Sequence, residues 1–438
     1  MRTDNIIVPI PVGNEPCCAA CGNTIPTGTT ALRRDKTFNP EARETIKTSI
    51  EAASADLKEI SLFLHANPEL KWEEFKAHEK ITTFLTKEGF KVESIEGMPT
   101  AFRAAFTQGT GGRTFGLNSE YDALAEIGHG CGHNLIAISG IAALLGLRAA
   151  MQKHNIPGTV VLLGTPAEEG GVGKQLLLDK GAYSDMDACM MLHPGPGPSP
   201  KGHIGPSLAS IGVQIEYFGK AAHAAMAPWA GVSALEAAIL AHNSIAALRQ
   251  QMRPEVRVHG VITQGGGYAS NIIPAYAELT YSVRGISTAA LEETWVGVKK
   301  CFENAALTTG CTVKINRGLV HDDLRNSKPM CEEYAATMEE MFGIPVTYGF
   351  DQAASWGAST DFGNVSYVLP GCHPMIGMPT PPGCVNHTVD FTTIVGQDEA
   401  HVQTFKASTA MACVGLRFLA DTAYAKQVAQ YFKEDMGK

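Results

Sequence analysis

Residues 159–171 read TVVLLGTPAEEGG. The run from Thr159 to Gly164 is almost wholly apolar and is bounded by Gly158 and Pro166. A segment of this kind suits a strand buried on both faces, as in a mostly parallel sheet covered by helices. Two neighbouring carboxylates, Glu168 and Glu169, stand just past its end. Adjacent carboxylates repel, so beside a core they need a cation or solvent. Their side chains also tend to diverge, which suits one binding a metal while the other handles a proton.

The same pattern extends outward. DACMMLHPG (187–195) is a second apolar strand, and KVESIE (91–96), AFRAAF (101–106) and TFGLNSEYD (114–122) read as further strands. Amphipathic helices are predicted over 41–65 and 72–90, the second stopped near Gly89, and an apolar helix over 134–150. Strands alternating with helices predict a doubly wound α/β core with a mostly parallel sheet. Near residue 207 the pattern changes. ASIGVQIEYFGKAAHAA (209–225) alternates, a helix follows over 233–252, then strands at 255–266 and 276–286, a helix across 288–308 and a strand at 312–316. The order β-α-β-β-α-β is ferredoxin-like. The expected organisation is an N-terminal extension (1–40), a core domain split between 41–206 and 323–438, and an inserted α+β domain (207–322). After the insertion, VSYVLP (365–370) and HPMIGM (373–378) read as strands, with a closing helix from about 400.

The 438 residues carry a formal charge of −9, with 45% hydrophobic and 18% charged side chains. A length prior of about 150 residues per domain gives two or three domains. The negative balance, without a long Lys/Arg run, disfavours nucleic acid as a partner. No segment approaches the roughly 18 uncharged apolar residues of a membrane span, so no membrane association is expected. The first 16 residues lack the apolar block of a secretory signal. Eleven cysteines, an odd number scattered through strands and helices, point to a reducing, cytoplasmic setting rather than a disulfide framework. Cys17, Cys18 and Cys21 near the N-terminus lack the second pair that a zinc site needs, and are read as structural or incidental.

EIGHGCGHNLIA (126–137) places His129, Cys131 and His133 at alternate positions just before the apolar helix. In an extended segment, residues two apart point the same way, so Cys131 and His133 can share one ion. A helix N-terminus favours negative charge and should help hold Cys131 as a thiolate. The other reading is a glycine-rich turn into a core helix. His193 ends the 187–195 strand, and His387 follows a Pro/Gly loop in CVNHTVDF (384–391). Ligands gather at the carboxyl edge of an open α/β sheet. Cys131, His133, Glu169, His193 and His387 fit that edge. One sulfur, three imidazoles and a carboxylate suit one or two ions of Zn²⁺, Mn²⁺ or Co²⁺ better than Mg²⁺ or Ca²⁺.

With these residues in view, the chain resembles a known family. SEYDALAEIGHGCGHNLIA (119–137), PAEEGG (166–171), LHPGP (192–196), GKAAHAAMAPWAGVSALEA (219–237), STDFGNVSYV (359–368) and VNHTVDF (385–391) look like the M20 metallopeptidases. The resemblance is to their amidohydrolase branch, nearest the group of peptidase M20 domain-containing protein 2 and aminobenzoyl-glutamate hydrolases. It runs in order from about residue 60 to 420. It implies metal binding by Cys131, His133, Glu169, His193 and His387, commonly around two ions. It implies Glu168 as general base and acid, His223 of the inserted domain as a carbonyl-polarising group, and Asp122 as a residue orienting a ligand. It also implies a homodimer through the inserted domain. Gly130, Ala125 and Asn134 depart from the family pattern and put the charge and stiffness around the ligands in question.

Asn271 and Arg284 read either as a turn cap and a solvated strand face or as grips on the far end of a substrate, Arg284 on a carboxylate. His129, His203, His242, His259 and His373 read as hydrogen-bonded loop or core histidines, and Asp361 as structural. The expected activity is metal-dependent hydrolysis of an amide bond in a small molecule, of dipeptide or N-acyl amino acid type. Two alternatives share the fold: a biosynthetic enzyme forming an amide, and a non-catalytic partner subunit binding an amide ligand.

Overall fold

The computed structural model describes residues 29–30, 38–197, 199–266, 269–351 and 357–437. Cys17, Cys18 and Cys21 lie outside the described residues. The strand Gly158–Gly164 sits inside a six-stranded sheet, ordered 371–372, 188–190, 114–119, 158–164, 98–108, 91–95. The first four strands are parallel neighbours, and the strand 98–108 runs antiparallel to both of its neighbours, so the sheet is mixed. Val160 to Leu163 are fully buried, as their unbroken apolar run requires.

The helix His133–Lys153 is buried along most of its length between this sheet, the helix Pro40–Ala66 and the helix Asp398–Ala420. Among the described residues it is the one helix long and apolar enough to cross a membrane, and 89% of its apolar window is buried in this core. Gly140 permits its close approach to the sheet, since a Cβ there would lie 2.5 Å from Ser119 Oγ and 2.7 Å from the Asn118 carbonyl.

A separate four-stranded antiparallel sheet, ordered 257–264, 276–285, 209–218, 312–321, forms the inserted unit. Its strands and the helices Ala234–Leu248 and Thr288–Thr309 follow the β-α-β-β-α-β order. Ile211, Val213, Ile215 and Tyr217 face the helices at alternate positions, with Ala277, Leu279, Tyr281 and Val283 beside them.

Two features differ from expectation. VSYVLP does not form a strand: Phe362–Ser366 is a short helix that buries Phe362, Val365 and Ser366, at helical spacing. Asn364 there bonds the Val320 carbonyl and Gln175, which ties the helix to its surroundings. A second core sheet also exists, ordered 29–30, 346–348, 202–204, 375–377, 193–195, from strands of two or three residues. Segments this short carry no readable period.

Candidate metal centre

Three of the parallel strands deliver polar side chains at their carboxyl ends. Past Ser119 come Glu120 and Asp122, past Gly164 come Glu168 and Glu169, and past Met190 comes His193. His133 opens the buried helix, and a tight turn, not an extended segment, brings Cys131 beside it. Gly132 takes φ +85°, where a Cβ would lie 2.5 Å from Pro194 Cγ. His387 enters from the loop before the helix Val389–Val395, its N–H donating to the Gly130 carbonyl at 2.8 Å.

The potential ligand atoms form three overlapping groups: Cys131, His133 and His193; Cys131, Glu169 and His387; and His133, Glu168 and Glu169, with the atoms of each group within 4.8 Å of one another. Cys131 Sγ is 3.4 Å from His193 Nε2, and His387 Nε2 is 3.3 Å from Glu169 Oε1. His133 Nε2 lies 3.5 Å from Glu120 Oε2, 3.9 Å from Glu168 and 4.0 Å from Glu169.

Two imidazoles are oriented by their far nitrogens. His133 Nδ1 donates to Asp122 Oδ1 at 3.0 Å, and His193 Nδ1 donates to the Pro194 carbonyl at 2.7 Å. Each therefore turns an Nε2 lone pair into the cluster. Asp122 also takes the Glu169 N–H on Oδ2 at 2.8 Å, so one buried carboxylate orients two candidate ligands. The Asn386 amide braces the Cys131 and Pro194 carbonyls at 3.3 and 3.2 Å.

The electrostatics separate the two neighbouring carboxylates. Burial, then the charges of Glu120 and Glu169, push Glu168 well above the usual carboxylate range. Burial opposes ionisation of Glu169 too, but His387 and His133 hold it below that range. Burial would lower His133, yet Asp122 and Cys131 drive it well above its ordinary value, so the cluster draws positive charge. Burial pushes the Cys131 thiol up despite His133, so the helix N-terminus alone does not make the expected thiolate. A cation is required for that. His133 Nε2 is buried without a hydrogen-bond partner, and Glu169 Oε1 has the His387 imidazole 3.3 Å away. An orphaned imidazole nitrogen beside a thiol, a carboxylate and two further imidazoles fits a divalent ion with nitrogen, sulfur and oxygen ligands.

The inserted-domain candidates belong to none of these three groups. His223 is exposed, and its Nδ1 accepts the N–H groups of Ala225 and Met226 at 3.2 and 3.1 Å. Its proton therefore sits on Nε2, where it can be donated. Asn271 is adjacent, its carbonyl accepting from Ala224, and is exposed. Arg284 is at the opposite end of the sheet, donating to Ser359 Oγ at 3.0 Å and the Gly357 carbonyl at 3.3 Å. His129 is buried outside the three groups, with burial lowering it to about 3. His373 is buried 5.7 Å from the His193 ring centroid, its Nε2 unpartnered. Asn134 bonds Ser61 Oγ and the Val395 carbonyl, a packing role.

Sequence reasoning missed the support behind the cluster. Lys174 is fully buried between Glu120 and Asp361, 2.5 Å from Asp361 Oδ1. Glu74 is fully buried beneath the turn that carries Glu168. The nearest signal was charge inside apolar surroundings, which names no partner.

Residues 209–309 match the peptidase dimerisation domain family of M20 proteins. The chain is 39% identical to the mouse Xaa-Arg dipeptidase, over 88% of this chain and 90% of that protein. It is 34% identical to a subunit of the p-aminobenzoyl-glutamate hydrolase of Escherichia coli K12, over 61% of this chain and 59% of that one. A dinuclear metal-binding peptidase of the M20 family from Bacillus subtilis has the same fold. Its TM-score is 0.58 at 18% identity, over 82% of this chain and 98% of that one. The chain belongs to the M20 peptidase family and is a hydrolytic enzyme.

Proposed function

We propose that this is a metal-dependent dipeptidase, working as a homodimer, whose substrates are small dipeptides of the Xaa-Arg type. The observation that carries the reading is the cluster in which Cys131, His133, Glu168, Glu169, His193 and the more exposed His387 converge, with His133 Nε2 buried and unpartnered. Cys131, His133, Glu169, His193 and His387 would hold one or two divalent ions, Zn²⁺ or Mn²⁺ before Co²⁺. Bound there, such ions supply Lewis-acid polarisation of the scissile carbonyl and acidify the attacking water.

The chain's own groups do the rest. Glu168, with its raised proton affinity, takes the water's proton and returns it to the leaving amine. His223 donates from Nε2 to the developing oxyanion. Arg284 and Asn271 remain candidates for gripping the substrate. The 39% identical Xaa-Arg dipeptidase supports the substrate class.

The inserted sheet argues for action across a dimer. Ser210 pairs with both Arg284 and His321, and the His321 imidazole lies close to the Glu168 backbone, so that end adjoins the chain's own cluster. Phe218, which leads to His223, lies eight register positions away, or about 27 Å at the rise of an antiparallel strand. That separation supports the reading in which His223 serves the partner's cluster. The eight described cysteines are all free thiols, the state a cytoplasmic setting maintains.

The test is metal content measured together with amine release from a panel of Xaa-Arg dipeptides, other dipeptides, N-acyl amino acids and aminobenzoyl-glutamate. The reading expects bound Zn²⁺ or Mn²⁺, loss of activity on chelation and recovery on metal return. Full turnover by the metal-free protein sinks it. Amide formation from free amine and acid, without hydrolysis, favours the biosynthetic alternative.

A further inference from the structure

The two candidate catalytic carboxylates sit on a turn that the backbone does not favour. Ala167, before Glu168, has φ +61°, and Val172, which closes the turn, has φ +53°. Side chains on L residues resist both values. Something outside the turn must hold it, and two buried carboxylates do so. Asp122 takes the Glu169 N–H, as described, and Glu74 takes the Ala167 N–H on Oε1 at 2.9 Å.

Glu74 precedes the helix Phe75–Lys87 and is fully buried. The same Oε1 also accepts the Trp72 N–H at 2.9 Å. Trp72 is itself a non-glycine residue at φ +70°. One oxygen thus pins two left-handed residues from distant parts of the chain. The Trp72 indole lies over the turn: a Cβ on Gly171 would come within 3.0 and 3.1 Å of its ring atoms. The other oxygen, Oε2, is buried without a hydrogen-bond partner. Burying a carboxylate with one oxygen unsatisfied is costly, and packing alone gives no reason for it. Accepting both N–H groups does.

We propose that Glu74 is a positioning residue for the hydrolysis. By clamping Ala167 and Trp72 through Oε1, it sets the directions in which Glu168 and Glu169 leave their turn. The inference rests on the reading of Glu168 as proton carrier and Glu169 as metal ligand. A displacement of about 1 Å at a reacting group can cost about 10²-fold in rate, so a released turn should be felt in turnover far more than in substrate binding.

The test uses the metal-loaded protein and alanyl-arginine, with kcat and KM measured for wild type, E74A, E74D, E74Q, E168Q and E74A/E168Q. Metal affinity is measured beside them by chelator competition. For E74A, kcat should fall about 10- to 100-fold with KM within about 3-fold. E74D is one methylene too short to reach both N–H groups and should show the same split more mildly; it carries the test if E74A does not fold. E74Q keeps an acceptor oxygen and should hold kcat within about 3-fold. In the E168Q background, E74A should add little further loss, because the group it positions is gone. Unchanged kcat in E74A and E74D overturns the proposal, as does equal loss in E74Q and E74A, or a fully additive loss with E168Q. Wild-type kcat in E168Q alone overturns the proton-carrier reading instead. The Glu74 clamp is then judged by metal affinity: weakened in E74A but not E74Q upholds it, unchanged in both overturns it.

Discussion

Asp122→Asn separates the orienting role of this residue from its volume, because the two side chains have nearly the same shape. The Asp122 carboxylate accepts from His133 Nδ1 on one oxygen and from the Glu169 N–H on the other. Asparagine has one acceptor and one donor end. With its oxygen towards His133, the amide N–H₂ faces the Glu169 N–H. Turned over, it faces His133 Nδ1–H, and relief comes only if the His133 proton moves to Nε2, where a metal must bind. Either way one buried, charge-assisted hydrogen bond is lost, at about 1.5–3 kcal/mol. At about 1.4 kcal/mol per decade that is a factor of about 10 to 150, in line with the ~10- to 100-fold typical of groups that orient metal ligands. Zn²⁺ affinity, read by chelator competition, should therefore weaken by about one to two orders of magnitude. Saturating metal should restore part of the activity. An affinity within 2-fold of wild type would refute the reasoning.

Cys131→Ser should lose most bound metal, because a hydroxyl is a far poorer ligand than a thiolate near neutral pH; full metal content by elemental analysis contradicts the ligand set. Glu168→Ala should keep metal and fold while kcat drops about 10²-fold or more. Metal loss there, with metal retained in Glu169→Ala, means the two roles are exchanged. Mixing His223→Ala with Glu168→Ala subunits should restore about a quarter of wild-type activity if His223 serves the partner's cluster, and none if it serves its own. Burial pushes Glu74 up from 4.5 to about 7, with Asp122 adding to it. A raised acid stabilises the fold fully below its unfolded value, and that contribution is lost as pH rises through the folded value. Wild type should thus lose about 3 kcal/mol relative to E74Q between pH 4.5 and 8; parallel denaturation profiles for the two proteins count against it.

The sequence revealed elements whose period or length exceeds the noise. The Thr159–Gly164 run, the alternation through Ala209–Phe218 and the 3.6-residue spacing of the long helices are local signals, each complete within one segment. The cluster was legible for the same reason: Glu168, Glu169 and His193 follow directly on apolar strands, and Cys131 and His133 precede an apolar helix. What stayed hidden depends on distant partners. Lys174 is separated from Glu120 and Asp361 by 54 and 187 positions. Glu74 and Ala167 are 93 apart. The convergence of Cys131 with His133 was expected from an extended segment, whereas it depends on the positive φ of Gly132. VSYVLP misled because Val365 and Ser366 close a short buried helix and 367–370 turn away from it, and six residues cannot separate the two periods.

The buried charges give an independent argument for the cation. Glu120, Asp122, Glu169 and Asp361 crowd a region where Lys174 supplies a fixed positive charge to Glu120 and Asp361, and burial makes each ionised carboxylate expensive unless paired. Lys174 satisfies Glu120 Oε1 and Asp361, but Glu120 Oε2 has no hydrogen-bond partner and Glu169 Oε1 has only the His387 imidazole, at 3.3 Å. The protein alone can answer this by protonating His133 and Glu168, the direction in which both groups are displaced. A divalent ion would answer it better, because its charge would offset these carboxylates and its binding would use the His133 lone pair. The protons held by His133 and Cys131 must then leave, so metal affinity should fall with acidity. The same surplus of negative charge that makes the cluster basic thus makes it selective for a dication, and Lys174 limits that surplus from behind.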